Sequence, residues 1–306
     1  MRNDKKTIRM TTVLRKLLSE GLVCAPGCFD AFSARLAELA GFKAIHLTGM
    51  GIEITQLGAP DLGLMTMTEL SSHAARISSA INIPIICDVD TGFGGILNIN
   101  RTILEMERAG VAGVHIEDQV SPKHCPLLAG RNVLPRDEAV KRVKAAVNAR
   151  TDPDFIIVAR SDADVISYEE LVTRSKLYLD AGADMVMPVT MQIGDKSFFA
   201  LPSDEQMELL VRLARDVGGP IMGMGSAPPD GYTMKDMENA GFSFVMYAGE
   251  PLSVMANALT ELYKSMLETG NTTIYKELHP GKYYDPLEMM KEVHLSDYTS
   301  LEKEYV

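Results

Sequence analysis

The chain of 306 residues has no tryptophan, only four cysteines and no excess of positive charge. The cysteines form neither a Cys-x-x-Cys pair nor a cluster with histidine at zinc-site spacing, which argues against a zinc domain or a redox dithiol. Acidic residues outnumber basic ones by 41 to 30, and the net charge of −11 disfavours binding to nucleic acid or an anionic membrane.

Long apolar runs are missing as well. No stretch reaches the roughly 18 apolar residues of a membrane span, and the charged segment 1–10 has no apolar core of a signal peptide. We therefore expect a cytoplasmic protein. What is present is a globular composition, 46% hydrophobic and 23% charged, long enough for one (β/α)8 barrel.

A recurring pattern predicts a parallel sheet. An Ala-Gly pair follows a charged amphipathic segment and precedes a short apolar run at 40–41, 109–110, 181–182 and 240–241. Glycine just after a helix and before a buried strand is typical of an αβ junction. With four further apolar runs, the pattern predicts eight strands, near residues 22–25, 44–48, 84–88, 113–117, 155–160, 185–188, 220–224 and 244–247. The predicted helices lie between them, at 68–81, 98–109, 136–150, 168–181 and 202–217.

Eight alternating units predict a (β/α)8 TIM barrel that forms a single domain over residues 1–306. An open doubly wound sheet is the alternative, but the segment LVCAPGCFD after the first strand lacks the glycine-rich turn that would favour it. Residues 250–306 are predicted to be a C-terminal helical extension that packs outside the barrel or on a neighbouring subunit.

Polar residues cluster where four predicted strands end. Residues two apart share a face of a strand, and strand ends converge at one mouth of a barrel, where active sites of this fold lie. Buried charges are costly unless they are paired or bound to a metal, and carboxylates without cysteine favour a hard ion such as Mg²⁺. The set comprises His46, Thr48, Asp88, Asp90, His115, Glu117 and Arg160.

Four of these residues also have a purely structural interpretation. Asp88 can cap a loop, and Asp90 can form an Asx turn beside the glycines that follow it. His115 can be a core histidine, and Arg160 can form an ion pair with Asp162. The conjunction of the whole set at one mouth favours a functional site.

The loop EDQVSPKHCPLLAGR, residues 117–131, adds Lys123 and Cys125. A thiol near lysine and histidine can have a lowered pKa and act as a proton donor or nucleophile. A buried loop cysteine is the structural alternative.

Several of these stretches together resemble the isocitrate lyase/phosphoenolpyruvate mutase superfamily, especially its 2-methylisocitrate lyase-like branch. The similarity extends from about residue 20 to residue 190 in order and spacing. It is carried by PGCFDAFSARLAELAGFKAIHLTG, PDLGLMTMTE, CDVDTGFGG, GVHIEDQVSPKHC, IVARSDA and AGADMVMP.

The resemblance implies a (β/α)8 barrel with a Mg²⁺ site, for which Mn²⁺ is the alternative ion. Asp88 matches the residue that coordinates the metal. Asp61, Asp90 and Glu117 match the residues that hold its waters.

The resemblance also implies how a 2-oxo acid would bind. Thr48, Gly49 and Met50 match the stretch that binds the oxo-acid carboxylate through hydroxyl and backbone N–H groups. Arg160 matches the arginine that holds the same end, and Asp88 and His115 are expected to contact the substrate as well.

Cys125, on a mobile loop with Lys123, matches the general acid of the lyase branch. The expected reaction is a retro-aldol cleavage, in which a base takes the hydroxyl proton and Cys125 protonates the enolate. The resemblance further implies a homotetramer that exchanges C-terminal helices between subunits.

The chain departs from the lyase pattern at several positions. Pro126 and Leu127 replace the Gly and His that follow the cysteine, and Val189 replaces a Glu. Asn and Thr are replaced in the segment 222–225, and His46 stands where an aromatic residue is usual. With its parity to Thr48, His46 is a candidate base with a pKa near neutrality.

We therefore expect a Mg²⁺-dependent carbon–carbon lyase for an alkyl-malate-like 2-hydroxy dicarboxylate. A tricarboxylate fits the more apolar half-site less well. The alternatives are an oxaloacetate decarboxylase or hydrolase, a phosphonopyruvate-type P–C enzyme, and a non-catalytic barrel that binds oxo acids.

Overall fold

The structure is a computed structural model that describes residues 9–193, 196–224, 228–281 and 284–305. The chain divides into two compact units, with the division between Gly249 and Glu250. Each unit is described separately below.

The first unit is a closed barrel of eight parallel strands. The strands are β1 Val23–Cys28, β2 Ile45–Leu47, β3 Ile85–Asp88, β4 Gly113–Glu117, β5 Ile156–Ser161, β6 Met185–Pro188, β7 Ile221–Gly223 and β8 Phe242–Tyr247. Each strand pairs with its sequence neighbour, and β8 closes the barrel on β1 through the register Val23–Phe244. The predicted (β/α)8 barrel is confirmed, and the open doubly wound sheet is wrong because a closed sheet has no edge strand.

The helices of this unit alternate with the strands. They are α1 Met10–Glu20, α2 Ala31–Leu39, α3 Gly49–Ile52, α4 Met67–Ala80, α5 Ile96–Ala109, α6 Arg136–Ala149, α7 Tyr168–Asp180, α8 Ser203–Val217 and α9 Met234–Ala240. Two of these helices end at a glycine. Gly110 follows α5 and Gly241 follows α9, with φ of 83° and 102°, in the left-handed region that favours glycine. The Ala-Gly pairs therefore mark αβ junctions, as the sequence predicts.

Two features are not among the predicted elements. Helix α1 contributes the fully buried Leu14 to an apolar cluster that includes Ile86 and Phe244. The long loop after β6 contains a short antiparallel ribbon, Gln192–Ile193 paired with Lys196–Ser197.

The barrel interior separates into an apolar layer and a polar mouth. Met185, Met187, Met222 and Phe244 fill the interior together with Ile86. The polar side chains begin at the carboxyl ends of β2 to β5. This division confines charged chemistry to one end of the barrel.

The second unit contains four helices, α10 Glu250–Thr269, α11 Thr273–Leu278, α12 Pro286–Glu292 and α13 Leu295–Tyr305. In the described part of these helices, Leu252 is the one buried side chain. Large apolar side chains such as Leu267 and Tyr305 are exposed. Among the described residues, no helix of the chain combines the length and apolar character needed to cross a membrane.

Candidate active site

The carboxyl ends of β3, β4 and β5 place four of the predicted site residues side by side. Asp88 is the register partner of His115, and Glu117 is the register partner of Arg160. All four are buried. The parallel register therefore brings together a carboxylate and an imidazole, and then a carboxylate and a guanidinium.

A buried lysine joins two loops over this mouth. The ammonium of Lys123 lies 2.7 Å from Asp90 Oδ1 and also forms an ion pair with Asp61 Oδ1. Burial disfavours its charge, but Asp90, Asp88 and Glu117 outweigh that effect and raise the pKa of Lys123. Lys123 therefore stays positive and partly neutralises the acidic cluster.

Asp88 occupies a tight position at the end of β3. Its Oδ1 accepts a hydrogen bond of 3.0 Å from the backbone N–H of Asp90. A Cβ atom on Gly49 would lie 2.8 Å from Asp88 Oδ2, so the close approach of α3 requires glycine there. Burial opposes ionisation, yet His115, Lys123 and Arg160 lower the pKa of Asp88, which is a carboxylate at neutral pH.

Asp90 differs from Asp88 in its ionisation. Its backbone has φ of 48°, in the left-handed region, where the turn TGFGG begins. Burial first, and then the charge of Asp88, raise the pKa of Asp90 to about 7 against the opposing effect of Lys123. Asp88, Asp90, Gly49 and Glu53 border a small cavity of about 10 Å³.

Arg160 forms an ion pair with Asp162, as its structural interpretation predicts. Its Nε and Nη2 donate to the two oxygens of Asp162 at 2.8 and 3.0 Å, and its Nη1 lies 3.0 Å from Glu117 Oε2. The two carboxylate oxygens of Glu117 are buried, and neither accepts a hydrogen bond of good geometry. Burial strongly raises the pKa of Glu117, with Arg160 opposing it.

His46 and His115 form a buried pair inside the barrel, with their Nε2 atoms 2.8 Å apart. His115 Nδ1 is 3.5 Å from Asp88 Oδ1, which favours the tautomer of His115 with its proton on Nδ1. His46 then donates from Nε2 and keeps Nδ1 as an acceptor, which is buried and has no hydrogen-bond partner.

The expected near-neutral pKa of His46 is wrong. Burial first, and the neighbouring His115 second, lower the pKa of His46 to about 3. Burial lowers the pKa of His115 to about 4. Both imidazoles are neutral at pH 7, because the barrel interior disfavours their cationic forms.

Cys125 is buried in the loop after β4 and docks on the loop after β2. Its backbone N–H donates to the carbonyl of Asp61 at 3.3 Å. The expectation of a lowered pKa is wrong, since burial and the charge of Asp61 raise the pKa of the Cys125 thiol to about 11. At neutral pH this side chain is a protonated thiol, which suits a proton donor and not a nucleophile.

The predicted carboxylate-binding stretch begins the short helix α3. Thr48 is its N-cap, and the hydroxyl accepts a hydrogen bond from the N–H of Gly51 at 3.4 Å. The N–H groups of Gly49 and Met50 lie in the first turn, where a helix offers them no partner of its own.

The acidic cluster suits a hard ion that keeps part of its water shell. Among the described residues, no three His, Cys, Asp or Glu side chains form a ready-made ligand set. Mg²⁺ needs only one or two protein carboxylates. The ionised Asp88 and the unsatisfied oxygens of Glu117 fit such an ion and its waters.

The sequence did not predict the residues that hold Arg160 and its partner Asp162 in place. Arg131 donates to Asp162 at 3.0 Å and to Asp164 at 2.7 Å, and Asp164 accepts the N–H groups of Met191 and Gln192. This buried chain links Arg160 to the loops after β4 and β6. The ARSDAD motif contains both aspartates, but nothing local in the sequence identifies Arg131 as their partner.

The opposite side of the mouth carries no charged side chain in its described part. Val189 and Met222 are buried, whereas Leu127 is exposed. At the ends of β6, β7 and β8, the described residues 188–192, 222–224 and 247–249 include no lysine, arginine or histidine.

Comparison with known proteins agrees with this geometry. The phosphoenolpyruvate phosphomutase family matches residues 14–267. The 2,3-dimethylmalate lyase of Eubacterium barkeri is 36% identical over 267 residues, covering 85% of this chain and 86% of that protein. The 2-methylisocitrate lyase of Aeropyrum pernix is 37% identical over 264 residues, covering 84% and 80%. The chain therefore belongs to the phosphoenolpyruvate mutase/isocitrate lyase superfamily, as the sequence motifs predict.

Solved structures have the same architecture. A crystal structure of 2,3-dimethylmalate lyase superposes with a TM-score of 0.82 at 28% identity, covering 98% of this chain and 100% of that one. Oxaloacetate acetylhydrolase in complex with the inhibitor 3,3-difluorooxalacetate gives 0.84 at 27% identity, covering 97% of each chain. The predicted class, a carbon–carbon lyase, agrees with the names of the curated relatives.

The raised pKa of Cys125 predicts a characteristic pH dependence of its alkylation. Only about one thiol in a thousand is ionised at pH 8 when the pKa is about 11. Labelling by iodoacetamide, followed by peptide mass spectrometry, should therefore accelerate about tenfold per pH unit from pH 7 to 10. The urea-unfolded chain is the control, and its Cys125 should level off above about pH 9. A plateau at that pH in the folded protein would contradict the raised pKa.

Proposed function

We propose that the protein is a Mg²⁺-dependent carbon–carbon lyase that cleaves an alkyl-malate-like 2-hydroxy dicarboxylate into a 2-oxo acid and a carboxylic acid. The observation that carries the proposal is the position of Cys125, which is buried and whose backbone N–H donates to the carbonyl of Asp61 at the acidic mouth. A reaction that forms an enolate needs a proton donor beside its carboxylate-binding groups.

The metal assignment rests on the donor set. Asp88 would ligate Mg²⁺, with Mn²⁺ as the alternative, and Asp61, Asp90 and Glu117 would hold its waters. Glu117 supports this role because its oxygens are buried and, apart from the ion pair with Arg160, accept no hydrogen bond of good geometry. When bound, a divalent ion stabilises negative charge that develops on an oxo-acid oxygen.

The chain's own residues then account for the proton movements. Thr48, with the N–H groups of Gly49 and Met50, binds the carboxylate of the oxo-acid end, and Arg160 adds positive charge there. His46 accepts the hydroxyl proton at Nδ1, and the C2–C3 bond breaks. The electron pair of the C2–C3 bond moves to C3 and forms the enolate of the departing acid. The Sγ–H group of Cys125 then delivers a proton to C3.

The low pKa of His46 restricts how this base can work. The neutral imidazole has a free acceptor at pH 7, but it is a weak base. His115 and the ionised Asp88 behind it stabilise the imidazolium that forms in the transition state. His115 is therefore assigned both to substrate contact and to the orientation of His46, and Lys123 to anchoring the Cys125 loop.

The uncharged side of the mouth points to the substrate class. Lys123 and Arg160 are already engaged by carboxylates, and the described ends of β6 to β8 offer no cation for a further carboxylate. Val189 and Met222 suit an alkyl substituent. Relatives named 2,3-dimethylmalate lyase and 2-methylisocitrate lyase are about equally similar, so the choice of an alkylmalate over a tricarboxylate rests on this side of the mouth.

Oxaloacetate hydrolysis is the second candidate. Its support is the altered loop, in which Pro126 and Leu127 follow Cys125, together with the similarity to oxaloacetate acetylhydrolase. A phosphonopyruvate-type P–C reaction stays a third possibility of the same superfamily. Hydrolysis of oxaloacetate to oxalate and acetate also leaves an enolate that must take a proton, so the identity of the substrate, and not the need for a proton donor, separates it from the lyase.

We also propose a homotetramer that exchanges its C-terminal helices. The exposed apolar side chains of α10 to α13, Leu267 and Tyr305 among them, support an assembly that covers them.

Substrate specificity tests the proposed function directly. Malate, 2,3-dimethylmalate, methylisocitrate, oxaloacetate and phosphonopyruvate are incubated with the protein and Mg²⁺, and release of an oxo acid, oxalate or phosphate is measured. We expect the highest kcat/KM for an alkylmalate, loss of turnover with EDTA, and recovery on adding Mg²⁺. Turnover of oxaloacetate or phosphonopyruvate without cleavage of any malate would contradict the lyase assignment.

Replacement of His46 tests the assigned base. His46→Ala should reduce kcat by about 10²- to 10⁴-fold with a smaller change in KM, because the hydroxyl proton loses its acceptor. His73→Ala is the matched control, since His73 is also buried but contacts Phe29 O, at 2.7 Å, outside the mouth. Full activity of folded His46→Ala would reject His46 as the base.

A further inference from the structure

Glu53 is a buried carboxylate with no role in the chemistry described above. It begins the π-helical turn Glu53–Leu57, which directly follows α3. Its side chain is 2% exposed. A buried glutamate is costly unless its charge is compensated. Within the described residues, Glu53 forms no ion pair with lysine, arginine or histidine.

Three backbone N–H groups satisfy this carboxylate instead. Oε2 accepts from Leu62 at 2.9 Å, and Oε1 accepts from Leu64 at 2.6 Å and from Met65 at 2.9 Å. All three donors belong to the segment that follows Asp61. Charge-assisted bonds of this kind are about twice as strong as neutral ones. Glu53 therefore fixes the segment 62–65 against the helix that begins at Gly49.

Asp61, next to this segment, and Gly63, within it, contact the Cys125 loop. Asp61 supplies its carboxylate to Lys123 Nζ and its carbonyl to the N–H of Cys125. Gly63 packs on the stem of Lys123 so closely that a Cβ there would lie 3.3 Å from Cγ. The position of the Cys125 loop therefore depends on how firmly segment 62–65 is held.

We propose that Glu53 is a positioning residue that holds Asp61 and thereby keeps the Cys125 loop docked over the mouth. The contacts of Glu53 and Asp61 do not depend on the proposed function, but their importance for catalysis does. Glu53→Gln is the sharpest variant, because the amide keeps the size but turns an NH₂ group towards backbone donors. At least one of the three hydrogen bonds is then lost.

The test measures the rate at which iodoacetamide alkylates Cys125 in the folded protein at pH 8, by peptide mass spectrometry. Glu53→Gln should label at least about tenfold faster than the unmodified protein, because a lost charge-assisted hydrogen bond favours loop opening by about that factor. Its kcat falls only to the extent that the open loop becomes the major form, so the labelling rate is the decisive measurement.

Glu69→Gln is the matched control. Glu69 accepts the N–H of Thr66 at 2.8 Å, next to the same segment, but it is exposed and caps α4. We expect unchanged Cys125 labelling in this variant. Unchanged labelling in Glu53→Gln, or an equal rise in both variants, would overturn the proposal.

Two further outcomes distinguish the proposed role of Glu53 from the proposed lyase function. If labelling rises in Glu53→Gln while the unmodified protein cleaves no malate, the positioning role stands and the lyase assignment fails. If Glu53→Gln does not fold, hydrogen exchange on the unmodified protein decides. The amides of Leu62, Leu64 and Met65 should exchange slowly, and exchange at the rate of unprotected amides would overturn the proposal.

Discussion

The ion pairs of Lys123 are the interaction on which the mouth depends. A barrel interior filled with methionine, phenylalanine and isoleucine does not tolerate several adjacent carboxylates. The ammonium of Lys123 compensates Asp61 and Asp90 at once, and it belongs to a third loop. This one buried positive charge offsets the repulsion between the carboxylates, and it joins the segments after β2, β3 and β4.

A second cluster of paired charges, centred on Arg160, lies beside the ion pairs of Lys123. Arg160 is held by Asp162 on two nitrogens and approached by Glu117 on the third, and Arg131 continues the alternation of charge to Asp164. Asp162 and Asp164 are therefore paired with two buried arginines, one from β5 and one from the loop after β4. The opposite wall has no comparable charge in its described part, so the two halves of the mouth suit different ends of a substrate.

The barrel and most of the acidic side of the site could be predicted from sequence because both follow from local periodicity. Apolar runs with a glycine before them locate the strands, and the alternation of side chains places Asp88 and Glu117 at strand ends. Helix α1 escaped prediction because its charged flanks resemble an exposed terminus, although Leu14 is fully buried.

Ionisation could not be predicted in the same way, since pKa depends on burial and on neighbours that are distant in sequence. Cys125 lies near lysine and histidine in the chain, but its burial and Asp61 raise its pKa. His46 becomes a weak base through burial beside His115. Glu53 carries no sequence pattern at all, because its partners are backbone N–H groups of another loop.

The measurement that tests the central claim most directly is the rate of oxo-acid release from 2,3-dimethylmalate by Cys125→Ser relative to the unmodified protein. Serine is nearly isosteric but a far weaker acid. If Cys125 protonates the enolate, the rate should fall by about 10²- to 10⁴-fold. An unchanged rate in the folded variant would contradict the assignment of Cys125 and show that another group protonates the enolate.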